Sequence, residues 1–277
     1  MTLPTFLGIG APRAGTTWLH TLLASHPDVY MPTVRKEIRF FDLYYERGLG
    51  WYESFFCSRE EAERYRGIGE ISPQYLIGEA CPQRIASTLP DCRLIVILRH
   101  PVDRAYSQYG FFVQRRNYRR SFEEFVRERP RALEKGFYSH YLHRYLRYFD
   151  RDRILTLVSE IAFADVAGTK ASLAAFLGLD ADRFPASAGR RRENTSTVPE
   201  HRSLYGLVAR TGRRLRAWHL EPLVDLVTRS RVPAILGKGR PLPPLDPELK
   251  QRLGRRYDEE LDELERCMRI DLSSWRA

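Results

Sequence analysis

Short apolar runs alternate with segments of helical period along the first part of the chain. Continuous apolar or β-branched runs predict strands over residues 5–10, 68–71, 93–98 and 154–158. Helices are predicted after the glycine-rich turn, after Pro101, and over residues 138–149 and 169–177. Such alternation is typical of βαβ units. The sequence therefore predicts an α/β fold with P-loop-like topology, in which helices cover both faces of a mostly parallel sheet.

The pattern becomes less regular toward the C-terminus. The predictions there are a helix start at Ser121, a helical segment over 203–220, and polar or Pro/Gly-rich loops over 187–202 and 232–247. Asp246 and Pro247 fit the cap and first turn of a final amphipathic helix that runs to about Met268. No shift in composition marks an internal boundary, so we predict a single domain over residues 1–277.

A glycine-rich turn joins the first predicted strand to the first predicted helix. It reads Gly10-Ala11-Pro12-Arg13-Ala14-Gly15-Thr16-Thr17-Trp18. Glycines let the backbone approach an anion, and the N–H groups of the helix start then point at it. The spacing from Gly10 to Gly15 matches a nucleotide triphosphate P-loop, but Thr16 stands where that loop has Lys. Because the cation Arg13 lies inside the loop, the turn predicts a phosphate-like ligand without the usual Lys and magnesium pair.

The predicted strand over residues 93–98 carries a second signal at its end. A core strand of this kind in a P-loop NTPase ends in an Asp that holds magnesium. This strand instead ends in Arg99, and guanidinium groups bind phosphate with two hydrogen bonds. Pro101 fits the first position of a helix, with Ser107 two turns further on. The strand end is therefore predicted to hold a phosphate.

These segments resemble the motifs of the sulfotransferases that use 3′-phosphoadenosine-5′-phosphosulfate (PAPS). Residues 12–18 resemble the family's 5′-phosphosulfate loop, and residues 99–107 resemble its 3′-phosphate motif. Residues 35–42, Arg-Lys-Glu-Ile-Arg-Phe-Phe-Asp, resemble a segment of the heparan-sulfate-type branch, which includes N- and 3-O-sulfotransferases. Residues 236–241 resemble the late Lys-Gly-Arg loop of that branch. The four motifs occur in the family's order along nearly the whole chain, which looks like a bacterial member.

The resemblance implies transfer of a sulfuryl group from PAPS by in-line displacement, with adenosine 3′,5′-bisphosphate (PAP) as the second product. It implies that Glu37 is the catalytic base, that Arg13 and Lys36 assist catalysis, and that no metal is needed. The implied cofactor-binding residues are Arg13, Ala14, Gly15, Thr16, Thr17, Trp18, Arg99, Ser107, Lys238, Gly239 and Arg240. The residues implied near the acceptor are Arg39, Asp42 and Glu70. The neighbouring rings of Phe40 and Phe41 predict partial burial of Glu37.

Three positions depart from the family pattern. Arg13 replaces the Lys that the phosphosulfate loop most often carries, and Arg39 replaces a His found in many relatives. Residues 70–75 match a Ser-Pro-x-Tyr segment, but Ile71 replaces a Lys that glycosaminoglycan-modifying members use near the acceptor. The predicted acceptor is therefore a hydroxyl or amine of a glycan, lipid or secondary metabolite, and a heparan-like substrate is disfavoured.

Composition fits a globular protein with a basic surface. Of the 277 residues, 43% are hydrophobic and 12% aromatic, which suits a packed core. The net charge of +10 suits a polyanionic cofactor, and no nucleic-acid motif accompanies it. No apolar run is long enough to cross a bilayer and no signal segment precedes the first strand, so we predict a cytoplasmic protein. The four cysteines lack metal-ligand spacing and are predicted to be reduced.

Two alternative functions stay open at this point. A small-molecule or nucleoside kinase shares the P-loop topology, but Thr16 and Arg99 disfavour it. A non-catalytic protein that binds nucleotides or polyanions would keep the loops and would not need Glu37. Binding of PAP compared with ATP separates a sulfotransferase from a kinase, and turnover with a panel of acceptors separates an enzyme from a binding protein.

Overall fold

Five parallel strands form one sheet. In a computed structural model of the chain these strands are β1 (Phe6–Gly10), β2 (Val29–Tyr30), β3 (Gly67–Ile71), β4 (Arg93–Leu98) and β5 (Ile154–Val158). Their order in the sheet is β2-β3-β1-β4-β5, and each pairing is parallel. All of β1 is buried, and β4 is buried except for Arg93, as expected for continuous apolar runs. Four of the five strands lie where the sequence predicts them.

The structure describes residues 2–190 and 242–276, together with the backbone alone of residues 197–199 and 239–241. The chain divides into two compact units. The first contains Met1–Pro101, Lys135–Glu193 and Arg255–Ala277, and the second contains Val102–Glu134 and Asn194–Gly254. All five strands of the sheet belong to the first unit. The single domain stays a prediction.

Helices of varied length connect and flank the strands. In chain order the described helices are α1 (Thr16–Ala24), α2 (Leu49–Glu53), α3 (Arg59–Ala62), α4 (Cys81–Thr88), α5 (Pro101–Arg116), α6 (Phe122–Glu128), α7 (Arg131–Glu134), α8 (Tyr138–Leu146), α9 (Ser159–Ala164), α10 (Val166–Leu177), α11 (Pro247–Gly254) and α12 (Asp258–Met268). Phe40–Tyr44 forms a π-helical turn, and 3₁₀ turns lie at Tyr45–Arg47, Pro73–Ile77, Arg151–Arg153, Ala181–Arg183, Arg255–Tyr257 and Ser273–Trp275. Within the described part of the chain, no helix is both long and apolar enough to span a membrane.

The core of the first unit lies on both faces of the sheet. On one face, Ile95 and Ile97 of β4 pack in a cluster with Leu22 of α1 and Leu173 of α10. Successive strand residues point to opposite faces, and every residue from Leu94 to Leu98 is buried. Both faces are therefore covered, and the predicted α/β fold with a parallel sheet is confirmed.

Two predicted loops contain short strands instead of irregular backbone throughout. β6 (Thr197–Pro199) lies within the predicted loop over 187–202, and β7 (Gly239–Pro241) lies within the one over 232–247. The two strands pair antiparallel. Both loop predictions are wrong at these residues, since three-residue strands are too short to produce an alternating pattern. The predicted helix over 203–220 lies outside the described residues.

The predicted final helix is interrupted. Asp246 does cap its start, accepting a hydrogen bond from the Leu249 N–H at 3.3 Å. However, α11 ends at Gly254, and α12 begins only after the 3₁₀ turn at Arg255–Tyr257. The Tyr257 side chain is buried and its ring centroid lies 5.0 Å from that of Phe137. The sequence keeps the apolar period of one continuous helix here, but packing of the Tyr257 ring against Phe137 favours the 3₁₀ turn that interrupts it.

Candidate active site

The glycine-rich turn and Arg99 lie at the same edge of the sheet. β1 and β4 are parallel neighbours, and the Ala11 N–H donates to the Ile97 carbonyl at 2.7 Å where the two strands end. The chain leaves β1 toward β2 but leaves β4 toward β5, so the strand order reverses between β1 and β4. In open α/β sheets this switch point is where ligands bind. The fold thus brings two separately predicted anion-binding segments to the same edge of the sheet.

The turn after β1 presents the start of α1 to a ligand. Arg13 and Gly15 both adopt left-handed backbone conformations, with φ of 72° and 109°. Gly15 occupies the N-cap of α1, and no side chain of the described residues caps that helix. The first N–H groups of a helix lack partners within it and carry the positive end of its dipole. This geometry suits an anion held by the backbone.

Gly15→Ala is expected to lower the free energy of unfolding by about 1–3 kcal/mol. An added Cβ would adopt an unfavourable φ of 109° and would lie 2.6 Å from the Phe163 ring. Urea unfolding of the purified variants measures the loss. Gly50→Ala is the matched control, because among the described residues no atom beyond its chain neighbours and its own helix backbone lies within 4 Å of the added Cβ. Equal stability of Gly15→Ala and the wild type would contradict the strained turn.

Lys36 contacts the first turn of α1. Its ammonium donates a hydrogen bond to Thr17 Oγ1 at 2.6 Å. Trp18 serves a different purpose, because its indole is buried, donates to the Gly189 carbonyl at 2.8 Å and packs edge-on against Phe163. Only the backbone of Trp18 is thus suited to the predicted ligand contact, whereas Lys36 adds a positive charge beside the helix start.

Glu37 is exposed, so the prediction of partial burial is wrong. Phe40 and Phe41 are buried, but their rings pack inward, and Phe40 stacks on Tyr52 with centroids 4.5 Å apart. Phe41 meets Tyr75 edge-on at 5.5 Å. The aromatic pair therefore anchors the backbone after Glu37 and leaves the carboxylate accessible to a substrate.

Arg39 and Asp42 form an ion pair. Arg39 Nε donates to Asp42 Oδ2 at 3.0 Å, and a second guanidinium nitrogen contacts the same oxygen. The Arg39 side chain is 34% exposed and that of Asp42 only 10%. Arg39 thus offers the more accessible of the two predicted acceptor contacts, and Asp42 holds its guanidinium in place.

Glu70 does not fit the predicted contact with an acceptor. It is fully buried on β3, and its carboxylate accepts hydrogen bonds from the hydroxyls of Tyr75 at 2.6 Å, Ser72 at 2.8 Å and Tyr52 at 3.4 Å. Burial raises the pKa of Glu70 to about 7. That prediction is corrected for a physical reason, namely that both faces of the sheet are covered at β3, where every residue from Gly67 to Ile71 is buried. Ser72 and Tyr75 belong to the Ser-Pro-x-Tyr segment, whereas no sequence signal pointed to Tyr52.

Side chains from distant segments hold the backbone around Arg99. The Tyr138 hydroxyl donates to the Arg99 carbonyl at 2.8 Å. Glu160 accepts the His100 N–H and the Trp275 indole N–H, both at 3.1 Å. Among the described residues, no ion pair or side-chain hydrogen bond is found for the Arg99 guanidinium, which suits a group that binds a ligand anion. Sequence reasoning gave no signal for Tyr138, Glu160 or Trp275.

The remaining predicted cofactor residues belong to the second unit. Ser107 lies on α5 and is partly exposed. Lys238 lies outside the described residues. Gly239 and Arg240 are described by their backbone in β7, where Arg240 pairs with Val198. Their cofactor contacts remain predictions.

One group of potential metal ligands is found in the described chain, and it was not predicted. His143, Glu263 and Cys267 place a ligand atom each within 4.8 Å of one another. Glu263 already pairs with His143 at 2.7 Å and with Arg266. Burial raises the pKa of the Cys267 thiol to about 11, which keeps it protonated near neutral pH. These contacts account for the group: Glu263 is held by an ion pair within α12 and by a contact with His143 that links α8 to α12.

Comparisons with known proteins converge on one family. The family model described as "Sulfotransferase domain" matches residues 4–204. Membrane-associated sulfotransferase kil1 of Dictyostelium discoideum is 35% identical over 144 residues, covering 50% of this chain and 30% of that protein. Human heparan sulfate glucosamine 3-O-sulfotransferase 6 is 33% identical over 184 residues, covering 64% of this chain and 52% of that protein. The chain thus spans about half or less of the length of these relatives.

A solved structure shares the fold over the full length of both chains. The crystal structure of a sulfotransferase from Alicyclobacillus acidocaldarius superposes with a TM-score of 0.68 at 23% identity, covering 100% of each chain. At this identity the likeness concerns the fold.

Proposed function

This chain belongs to the sulfotransferase family, and we propose that it transfers a sulfuryl group from PAPS to a hydroxyl or amine of an acceptor. The observation that carries the proposal is that two anion-binding features lie where neighbouring strands end. The turn after β1 leads into the start of α1, which no side chain of the described residues caps, and Arg99 directly follows β4. Lys36 adds a third positive group through its contact with Thr17. Phosphate groups at two ends of one ligand match this distribution of cations and N–H groups.

The residues divide the proposed reaction between them. PAPS supplies the sulfuryl group, whose bond to the phosphate oxygen breaks as a bond to the acceptor oxygen or nitrogen forms. Glu37 accepts the proton that the acceptor loses. Arg13, Lys36 and the backbone amides of residues 14–18 stabilise the charge that develops on the leaving phosphate. Arg99 and Ser107 bind the 3′-phosphate, and residues 238–240 contact the cofactor.

The proposed acceptor is a small molecule or glycan, and an exposed Glu37 can meet either class. Ile71, which stands where glycosaminoglycan-modifying members carry Lys, is fully buried in the core. Because this side chain is apolar and buried, it cannot contact the anionic groups of a polyanionic glycan. A hydroxyl or amine of an uncharged glycan, a lipid or a secondary metabolite fits this part of the chain better.

Calorimetry with PAP and ATP, followed by assays with PAPS and a panel of acceptors, tests the proposed function. We expect PAP to bind more tightly than ATP, and labelled sulfate to appear on at least one acceptor. Tighter binding of ATP, with phosphate transferred instead, would favour a kinase. Tight binding of PAP with no transfer to any acceptor would favour a binding protein.

Turnover is expected to persist in excess EDTA after dialysis against chelator. The proposed charge stabilisation comes from Arg13, Lys36 and Arg99, which can neutralise the phosphates in the way that magnesium does in kinases. The rate of PAP release with and without EDTA measures the effect. Activity lost to EDTA and restored by magnesium would contradict the proposal, whereas restoration by zinc alone would point to the cluster of His143, Glu263 and Cys267.

A further inference from the structure

The buried carboxylate of Glu70 is connected to the segment that carries Glu37. Ser72 Oγ donates its hydrogen to Glu70 Oε2 at 2.8 Å and accepts the Arg39 N–H at 3.0 Å. Arg39 has a left-handed backbone, with φ of 61°, and opens the turn that contains Asp42. A single hydroxyl thus joins β3 to the backbone two residues after Glu37.

The charge on Glu70 is costly to the fold. Among the described residues, the titratable groups that interact with Glu70 are Tyr52 of α2, Tyr75 of the following 3₁₀ turn, Cys92 before β4 and Asp42, and none of these four is a cation. Burial raises its pKa from 4.5 to about 7, mainly because the carboxylate loses water. The folded chain therefore binds a proton at Glu70 more strongly than the unfolded chain does. Its contribution to stability falls as pH rises from about 4.5 to about 7 and stays low above that.

We propose that ionised Glu70 is a positioning residue, which fixes the direction of the Ser72 hydroxyl and so holds the segment from Glu37 to Asp42 for turnover. As a carboxylate, Glu70 accepts from all three hydroxyls, and the Ser72 lone pair is left for the Arg39 N–H. Once protonated by solvent, Glu70 has to donate one hydrogen, so one of the three hydroxyls loses its acceptor. This inference rests on the proposed sulfuryl transfer for its kinetic readout only.

Glu70→Gln tests the inference, because the amide keeps the shape and permanently removes the charge. At about pH 8 we expect turnover at saturating substrates to fall by about ten- to a hundred-fold, the cost of a misplaced catalytic group. PAP affinity should stay unchanged. Unfolding midpoints at about pH 8 should equal or exceed those of the wild type. We expect wild-type turnover to rise through about pH 7 as Glu70 ionises, and this rise should be absent in the variant. A loss of function with no loss of stability separates positioning from ordinary structural support.

Two further variants sharpen the comparison. Ser72→Ala should reproduce the loss of turnover, because it removes the link to Arg39. Glu260→Gln is the matched control, since Glu260 is also buried, accepts from Ser139 N–H and Oγ at 2.6 Å, and has a raised pKa. Its variant should alter the pH dependence of stability and leave the pH profile of turnover unchanged.

Amide hydrogen exchange gives a readout that does not depend on catalysis. Residues 37–42 should exchange faster in Glu70→Gln and Ser72→Ala than in the wild type, and Glu260→Gln should match the wild type there. Normal turnover in Glu70→Gln would overturn the inference. A fall in turnover that is accompanied by a lower unfolding midpoint than that of the wild type would also overturn it. A wild-type protein that transfers no sulfuryl group to any acceptor would refute the proposed function instead, and the exchange rates alone would then decide the role of Glu70.

Discussion

Glu37→Gln is expected to lower turnover on the natural acceptor by about 10²–10⁴, the usual contribution of a general base. The amide keeps the size of the side chain and removes its ability to accept a proton. Glu37 is exposed and directly follows Lys36, whose ammonium contacts Thr17 in the first turn of α1. The substitution should therefore affect the chemical step and leave PAP affinity and folding nearly intact.

Single-turnover rates and calorimetric PAP affinities, measured on the same preparations, check this prediction. Glu46→Gln provides the matched control, because Glu46 lies in the segment that follows Asp42 and its side chain is 93% exposed, with the carboxylate 3.9 Å from Arg84. That variant removes the same charge and should retain normal turnover. Near-normal turnover of Glu37→Gln under conditions where chemistry limits the rate would exclude it as the base. Asp42 would then be the next candidate, since burial withdraws Glu70 from the acceptor.

Buried strands were the most predictable part of the fold. β4 and β5 have the predicted bounds, because continuous β-branched runs between turn residues leave few other structures. The capping pattern at Ser121 also produced the predicted helix start, with Glu124 closing the capping box. β2 was missed, since two residues carry no period. The break before α12 was missed because it depends on a tertiary contact of Tyr257.

The candidate site was predictable where its anion-binding groups belong to short motifs that directly follow strands. The glycine-rich turn follows β1 and Arg99 follows β4, and parallel neighbours necessarily bring such strand ends to one edge of the sheet. The family resemblance drawn from these motifs is confirmed by the match over residues 4–204. The bacterial character and the cytoplasmic location remain predictions.

Burial within the site could not be predicted from the sequence. Phe40 and Phe41 suggested a partly buried Glu37, yet both rings turn toward Tyr52 and Tyr75. Glu70 belongs to a motif segment, but only the packing on both faces of β3 shows that its carboxylate is buried. Such facts depend on packing between segments far apart in sequence, which periodicity does not encode.

Arg99→Ala is expected to weaken PAP binding about ten-fold or more and to leave AMP binding almost unchanged. PAP and AMP differ by the 3′-phosphate, which Arg99 is proposed to contact. A charge-assisted hydrogen bond contributes about 1.5–3 kcal/mol, and 1.4 kcal/mol corresponds to a factor of ten in affinity. The backbone at this position is held through the Arg99 carbonyl by Tyr138, and that bond does not need the guanidinium. The variant should therefore fold normally.

Calorimetric titration of both nucleotides into the wild type and two variants decides the point. Arg93→Ala is the matched control, because Arg93 lies exposed at the opposite end of the same strand, β4. It removes an equal charge, so a general electrostatic effect would weaken PAP binding in both variants alike. Selective loss in Arg99→Ala alone would place the 3′-phosphate at the end of β4. Equal weakening of PAP and AMP in Arg99→Ala would contradict that assignment and move the 3′-phosphate contact to another cation.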